Sequence, residues 1–335
     1  MVRRHFLALV IVSAAIATSG QAAPQIVSVE KIWDRGNHNA FTDLIRFHDE
    51  WFCTFREADS HVGGDGKLRV LRSIDGSSWE SAALLAEEGI DLRDPKLSIT
   101  ADGRLMIVAG GSVYGGTTVL KERQPRVAFS PDARTWTPTQ RVLEKGDWLW
   151  RVTWHNERAY GVAYRAEPSP GVKPKPEDRL ARLVASNDGV NYELVAPLDV
   201  DGRANEATVR VLSSGEMVIL QRREMKDQHG WIGTATAPFR EFRWSDTGHR
   251  LGGPNFIELP DGALWAGSRE HTNAGPRTVL ARMTPTSYEP VLALPSGGDT
   301  SYPGLVWHDG LLWMSYYSSH EGKTSIYLAK IRLQP

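Results

Sequence analysis

Three groupings of residues in this 335-residue chain have the types and spacing for anion capture and proton transfer. The dipeptide Arg-Glu closes three hairpins, as Arg56-Glu57, Arg223-Glu224 and Arg269-Glu270. An arginine fork matches two oxygens of a carboxylate or sulfate, although at a strand end the same pair can be no more than a solvated ion pair. The loop Ala58 to Asp65 offers Asp59, His61 and Asp65. Either an imidazolium or a carboxyl with a raised pKa can hand over a proton near neutral pH, and order in the loop does not choose among the three. Arg93-Asp94 forms a further polar pair suited to hydroxyl groups, and Trp148, Trp150 and His155 are candidates for stacking on a flat apolar face.

These residues must be positioned by strands. The segments Phe41 to Glu57, Leu92 to Gly111, Leu149 to Arg165, Glu206 to Glu224, Asn255 to Glu270 and Tyr302 to Ser318 each read as two strands around a tight turn. The turns fall at Asp49-Glu50, Asp102-Gly103, Asn156-Glu157, Ser214-Gly215, Asp261-Gly262 and Asp309-Gly310, which is hairpin chemistry. No window sustains a 3.6-residue period. Six hairpins at intervals of 47 to 58 residues leave room for two more strands per unit. The spacing predicts an all-β chain folded as a six-bladed β-propeller of four-stranded antiparallel blades. Counting back from each turn puts Asp43, Asp94, Arg151, Glu206, Asn255 and Tyr302 at the starts of the innermost strands, around the central channel. Residues 167 to 179, with four prolines, read as a long exposed loop of the third blade.

Composition narrows the function. With 39 Lys+Arg against 40 Asp+Glu, the chain has nothing to drive nucleic-acid binding through counterion release. A single cysteine, Cys53, excludes an intramolecular disulfide and a cysteine zinc cluster. No metal-ligand, P-loop or dinucleotide motif occurs, so no metal or cofactor is expected. Arg3, Arg4 and His5 precede an apolar run from Phe6 to Thr18 and a small-residue stretch, the pattern of a secretory leader. The expectation is a leader over residues 1–23, one propeller domain over 24–335, export to the periplasm or beyond, no membrane span after cleavage, and a monomer. Twelve tryptophans among 31 glycines suit a repeated strand core or platforms for sugar rings.

A second repeat carries a family resemblance. Ser73-Ile74-Asp75-Gly76-Ser77-Ser78-Trp79 recurs as Ser130 to Trp136 and Ser186 to Tyr192, with a degenerate copy ending at Trp244. This is the Asp-box turn, and its repetition across such a chain resembles the sialidase-like superfamily. The resemblance implies a glycan substrate and a glycoside hydrolase with Tyr302 as nucleophile and Glu206 as its base. It also implies an acid from the blade-one loop, Asp59, His61 or Asp65. A neutral phenol can approach an anomeric centre beside an anionic sugar. Arg223 and Arg269 match the blades of two clamp arginines that hold the sugar carboxylate. The first blade departs from the family: Ala40-Phe41-Thr42-Asp43 stands in place of the Phe/Tyr-Arg-Ile-Pro motif, leaving Arg56, Arg93 or Arg151 to complete the clamp. Arg93, Asp94, Arg151, Asn255 and Trp150 are expected to line the sugar site. A lyase acting on uronates, another exo-glycosidase, or a carbohydrate-binding propeller without turnover are the alternative readings on this fold.

Overall fold

The computed structural model describes residues 23–165, 181–225 and 227–334. The expected leader, apart from Ala23, and the proline-rich loop lie outside them. Every regular element among the described residues is a strand. Six four-stranded antiparallel sheets are formed, and the predicted hairpins are their first two strands. The innermost strands are β2 (His38–Phe47), β6 (Asp91–Ile99), β10 (Asp147–His155), β14 (Ala204–Val211), β18 (Asn255–Glu258) and β22 (Thr300–His308). They pack on one another in sequence around the axis. Their partners are β3 (Glu50–Ala58), β7 (Leu105–Val113), β11 (Arg158–Arg165), β15 (Met217–Arg223), β19 (Leu264–Thr272) and β23 (Leu311–Ser318). The ring closes through the chain's first strand: β1 (Gln25–Trp33) pairs with β24 (Ser325–Arg332) to complete the last blade. This joins the two ends of the chain by backbone hydrogen bonds and leaves no gap between the first and last blades.

Stability comes from blade faces packed on each other. Trp51 of blade one stacks on Trp313 of blade six with ring centroids 4.2 Å apart. Cys53 is fully buried in the same layer, where burial pushes its thiol well above the ordinary range, so it is a packing residue. The Ser-x-Asp turns sit at the outer edge, joining the third and fourth strands of their blades. Asp75 Oδ1 accepts the amides of Ser77 and Ser78, and Asp132 and Asp188 do the same in blades two and three. These backbone bonds hold the Asp75 and Asp132 carboxyls below the usual range. The fourth blade keeps the turn's shape with other residues. Phe239 takes the positive φ of Gly76, Ala133 and Gly189, and the aromatic that closes the turn is Phe242, two residues before the expected Trp244.

One irregularity positions the site. Five inner strands carry a β-bulge at the same register: Phe41-Thr42, Asp94-Pro95, Trp150-Arg151, Asn205-Glu206 and Tyr302-Pro303 each oppose a single residue of the next strand. In blade five, Gly253-Pro254 precedes β18 at the equivalent place. A bulge re-aims side chains that a flat strand would alternate. Phe41, Asp94 and Tyr302 accordingly adopt φ of +67°, +54° and +54°, a conformation few non-glycine residues hold without support.

Candidate active site

At one mouth of the channel the bulges bring Tyr302 and Glu206 together from blades six and four. The Tyr302 hydroxyl donates to Glu206 Oε1 across 2.5 Å. The same carboxylate oxygen lies 2.5 Å from Arg222 Nη1, and Oε2 accepts the Gly253 amide at 2.7 Å. Burial pushes Glu206 upward, but the Arg222 charge, the phenol and the amide outweigh it, and the carboxyl is held below its ordinary range. Burial, with the Glu206 charge beside it, raises Tyr302 well above the usual phenol value. A neutral phenol therefore points its proton at an ionised carboxylate. Trp150 forms the floor, its ring 5.3 Å from that of Tyr302, and Arg269 lies over the Tyr302 ring at 5.5 Å. Gly253, at φ +62°, makes room for the phenol: a Cβ there would stand 2.5 Å from both Cγ and Cδ2 of Tyr302.

A cavity of about 210 Å³ opens above this pair toward blades two and three. Phe41, His61 and Arg93 line one side, and Arg123, Trp148 and Tyr164 line another. Asp94 faces it from its bulge. Burial raises the Asp94 carboxyl above its ordinary range, with Arg93 and Lys96 pulling the other way. Arg93 donates to the Tyr114 hydroxyl at 3.0 Å and to the His61 carbonyl at 3.3 Å. His61 Nδ1 lies 2.8 Å from Asp299 Oδ2, which His38 Nε2 approaches to 3.2 Å, while Asp299 Oδ1 accepts the Tyr317 hydroxyl. These bonds hold the Asp299 carboxyl far below the usual range, against the opposing effect of burial. His38, His61 and Asp299 are close enough to converge on one cation; as they stand, His38 Nε2 and His61 Nδ1 are spent on Asp299.

The structure separates the remaining sequence candidates. Asp59 is exposed and accepts Asn37 Nδ2, and Asp65 is exposed outside the cavity, so of the loop trio only His61 lines it. Arg56 is fully buried and works as a tie, donating to Asp91 Oδ1 at 2.6 Å and to the Ser60 carbonyl at 2.7 Å. Arg223 is likewise committed, to Asp201, Asp227 and the His229 carbonyl. Of the three Arg-Glu arginines only Arg269 reaches Tyr302, and it is held by the Thr300 carbonyl and the Tyr317 hydroxyl. The fourth-blade arginine at the site is Arg222, one residue before the expected Arg223, because the bulge residues Asn205-Glu206 lie opposite it. Arg151 does not line this cavity and makes a bidentate ion pair with Asp43 at 2.8 and 3.0 Å. Asn255 bridges Arg210 and the Pro303 carbonyl, and Trp150 is 1% exposed, a floor and not a stacking platform. His155 stands at the hairpin end of β10, away from Trp148.

No protein-family model matches the sequence, and no curated protein matches it. Solved structures do. A protein of unknown function from Dyadobacter fermentans is 18% identical, with a TM-score of 0.78 over 93% of this chain and 100% of that one. The α-L-arabinofuranosidase of Fusarium graminearum, solved with arabinobiose, is 14% identical, with a TM-score of 0.68 over 92% of this chain and 98% of its own. Trypanosoma rangeli sialidase is 11% identical, with a TM-score of 0.67 over 88% of this chain; the match spans 55% of the sialidase. At such identities the likeness speaks to architecture. The chain thus shares the fold of these structures, a six-bladed β-propeller.

Proposed function

We propose that this protein is an exo-acting glycoside hydrolase that removes a terminal anionic sugar with retention of configuration. The observation that carries the reading is the 2.5 Å contact between a neutral phenol and an ionised carboxylate at the floor of a cavity. In the first step the Tyr302 oxygen bonds to the anomeric carbon as the glycosidic C–O bond breaks, and the phenol proton passes to Glu206. The leaving oxygen takes its proton from His61, whose Nδ1 is spent on Asp299 and whose Nε2 is the nitrogen left for substrate. Water then cleaves the tyrosyl glycoside intermediate with His61 as base, and Glu206 returns its proton to the Tyr302 oxygen. Arg222 and Arg269 stabilise the phenolate that departs in this second step. Cavity size favours exo action, since about 210 Å³ falls below the roughly 300 Å³ at which sites for larger ligands begin. The leader pattern and the fold-mates that act on glycans support an exported enzyme.

The test is a panel of aryl glycosides with good and poor leaving groups. Tyr302→Phe and Glu206→Gln should each lower kcat/KM by at least about 10³-fold. His61→Ala should lose kcat/KM for poor leaving groups while keeping most of it for a dinitrophenyl glycoside, whose departure needs no protonation, with kcat then limited by the second step. Full turnover by both Tyr302→Phe and Glu206→Gln overturns the mechanism. A product absorbing as an unsaturated uronate would replace hydrolysis by elimination.

A further inference from the structure

Among the described residues, one cation of the cavity wall, Arg123, makes no ion pair. Arg123, on β8 (Glu122–Ser130), is packed over the rings of Trp148 and Tyr164, with its Cζ 5.2 and 5.4 Å from their centroids. Its Nε donates to the Gly146 carbonyl at 3.2 Å, and its Nη2 is buried with no hydrogen-bond partner. Burial lowers its pKa, as expected for a charge taken from water. Of the carboxylates around it, Asp147 is paired with Arg165 and Arg182 and Glu122 with Lys145, while Asp94, which lines the same cavity, acts on Arg123 through its charge without a hydrogen bond. Beside it, Trp148 is 4% exposed, and its Nε1 is a second buried donor without a partner. The Trp148 ring lies against Gly110, where a Cβ would come within 1.9 Å of it.

Two orphaned donors on one wall call for acceptor oxygens, and a buried guanidinium calls for a negative charge. The arginines nearest Tyr302 do not call for one in the same way. Arg222 is paired with Glu206 and Glu224, Arg269 is bonded to Tyr317 and Thr300, and neither lines the cavity. We infer that Arg123 and Trp148 receive the anionic group of the substrate, and that this group sits across the sugar ring from the anomeric carbon. A carboxylate on the anomeric carbon itself would lie against the nucleophile. A hexuronate carboxylate, or a sulfate ester at the corresponding position, projects from the far side of the ring, toward blades two and three. The inference rests on the proposed function, because it takes Tyr302 to mark the anomeric centre.

Two measurements separate its failure from that of the mechanism. Hydrolysis is compared for aryl hexuronides, aryl 6-sulfo-hexosides, the matching neutral hexosides and an aryl sialoside. Binding of free hexuronates and of inorganic sulfate is measured by calorimetry, which requires no turnover. The expected result is a preference for a uronide or sulfo-hexoside over its neutral counterpart that collapses by about 10–100-fold in Arg123→Gln, mainly through KM, and partly recovers in Arg123→Lys. The uronide and sulfo-hexoside arms identify which anion is bound. Trp148→Phe, which keeps a ring over Gly110, should reduce the same ratio less. Uronate or sulfate binding weakened by Arg123→Gln without turnover of any glycoside upholds the inference and defeats the hydrolase reading. A sialoside as best substrate, turned over equally by Arg123→Gln of unchanged melting temperature, overturns the inference and leaves the hydrolase reading in place.

Discussion

Asp43→Asn should destabilise the protein strongly, and more so at low pH. Asp43 is 1% exposed and is the anion that balances a cluster of cations on the axis. It accepts both Arg151 nitrogens and the Leu97 amide. Lys96, 2% exposed, lies in the same region, and Arg210 follows toward the other mouth. Burial and the Arg151 charge push Lys96 down to about 8, while Asp43 pulls it back up. Burial, then Arg151, lowers Arg210 to about 10. Removing one partner of such a buried pair costs about 3–5 kcal/mol. An unfolding entropy of about 2.1 cal/mol/K per residue over roughly 300 residues turns this into a fall of about 5–8 °C in Tm. The pH dependence gives a signature. Lys96 has a folded pKa below its unfolded one, so its burial penalty is full below the folded pKa and is relieved as pH rises toward about 10.5. Losing Asp43 lowers the folded pKa further, so relief begins earlier in the variant. The gap between wild type and Asp43→Asn should therefore be widest near pH 6 and narrow toward pH 8. Thermal melts at both values check it, and Asp43→Asn with Arg151→Met should recover at least half of the loss. A Tm change under 2 °C at pH 6, or a gap that widens with pH, would refute the reasoning.

Two further substitutions probe the mouth. Gly253→Ala places a methyl against the Tyr302 ring at a positive φ, and should lower kcat by at least about tenfold together with a measurable fall in Tm, read by kinetics and melts on one preparation. Asp94→Asn should separate activity from stability. Burial raises the Asp94 carboxyl, so the folded state loses stability as pH rises through that value; the amide removes the penalty. Its Tm at pH 7 should match or exceed wild type while kcat/KM falls about tenfold or more, and the stability advantage should vanish below about pH 4, where the carboxyl is protonated in either state.

Hairpins were legible because turn residues and alternating apolar strands are written locally, and six of them at near-equal spacing admit few architectures. Tyr302 and Glu206 could be placed at the axis because each stands near the start of such a strand, and the family resemblance singled them out from the other four. The bulges were not legible. A bulge on Phe41, Asp94 or Tyr302 carries no glycine to announce it, and counting along a regular strand then misassigns which end of the channel a side chain serves. Arg151 and Asn255 were expected to line the sugar site, and they instead bond to Asp43 and to Arg210 and the Pro303 carbonyl along the axis. The same shift exchanged Arg222 for Arg223. Arg123 gave no local signal, since its importance lies in what Trp148, Tyr164 and Gly146 do and do not offer it. Closure by β1 is likewise invisible, its partner lying at the other end of the chain.

The bulges also explain why the axis is polar. Each frees a carbonyl from the ladder, and a buried carbonyl needs a donor. Lys96 Nζ serves Thr42 and Pro95, Thr42 Oγ1 serves Tyr302, Asn255 Nδ2 serves Pro303, and Thr208 Oγ1 serves Pro254. Each of these bonds except that from Lys96 to Pro95 crosses from one blade to another, so the groups that satisfy the bulges also lock neighbouring blades in register. Tyr302 is then held by backbone it does not choose: its carbonyl by Thr42 of blade one, its ring by Gly253 of blade five, its hydroxyl by Glu206 of blade four. A phenol fixed from three blades can keep a strained backbone and a proton aimed at Glu206 without substrate present, the preorganisation that the proposed retaining hydrolysis requires. Weakening the axis should consequently reach the site. Asp43→Asn, far from the sugar, is expected to lower kcat before it unfolds the chain, whereas loss of the outer turn at Asp75 is expected to lower Tm alone.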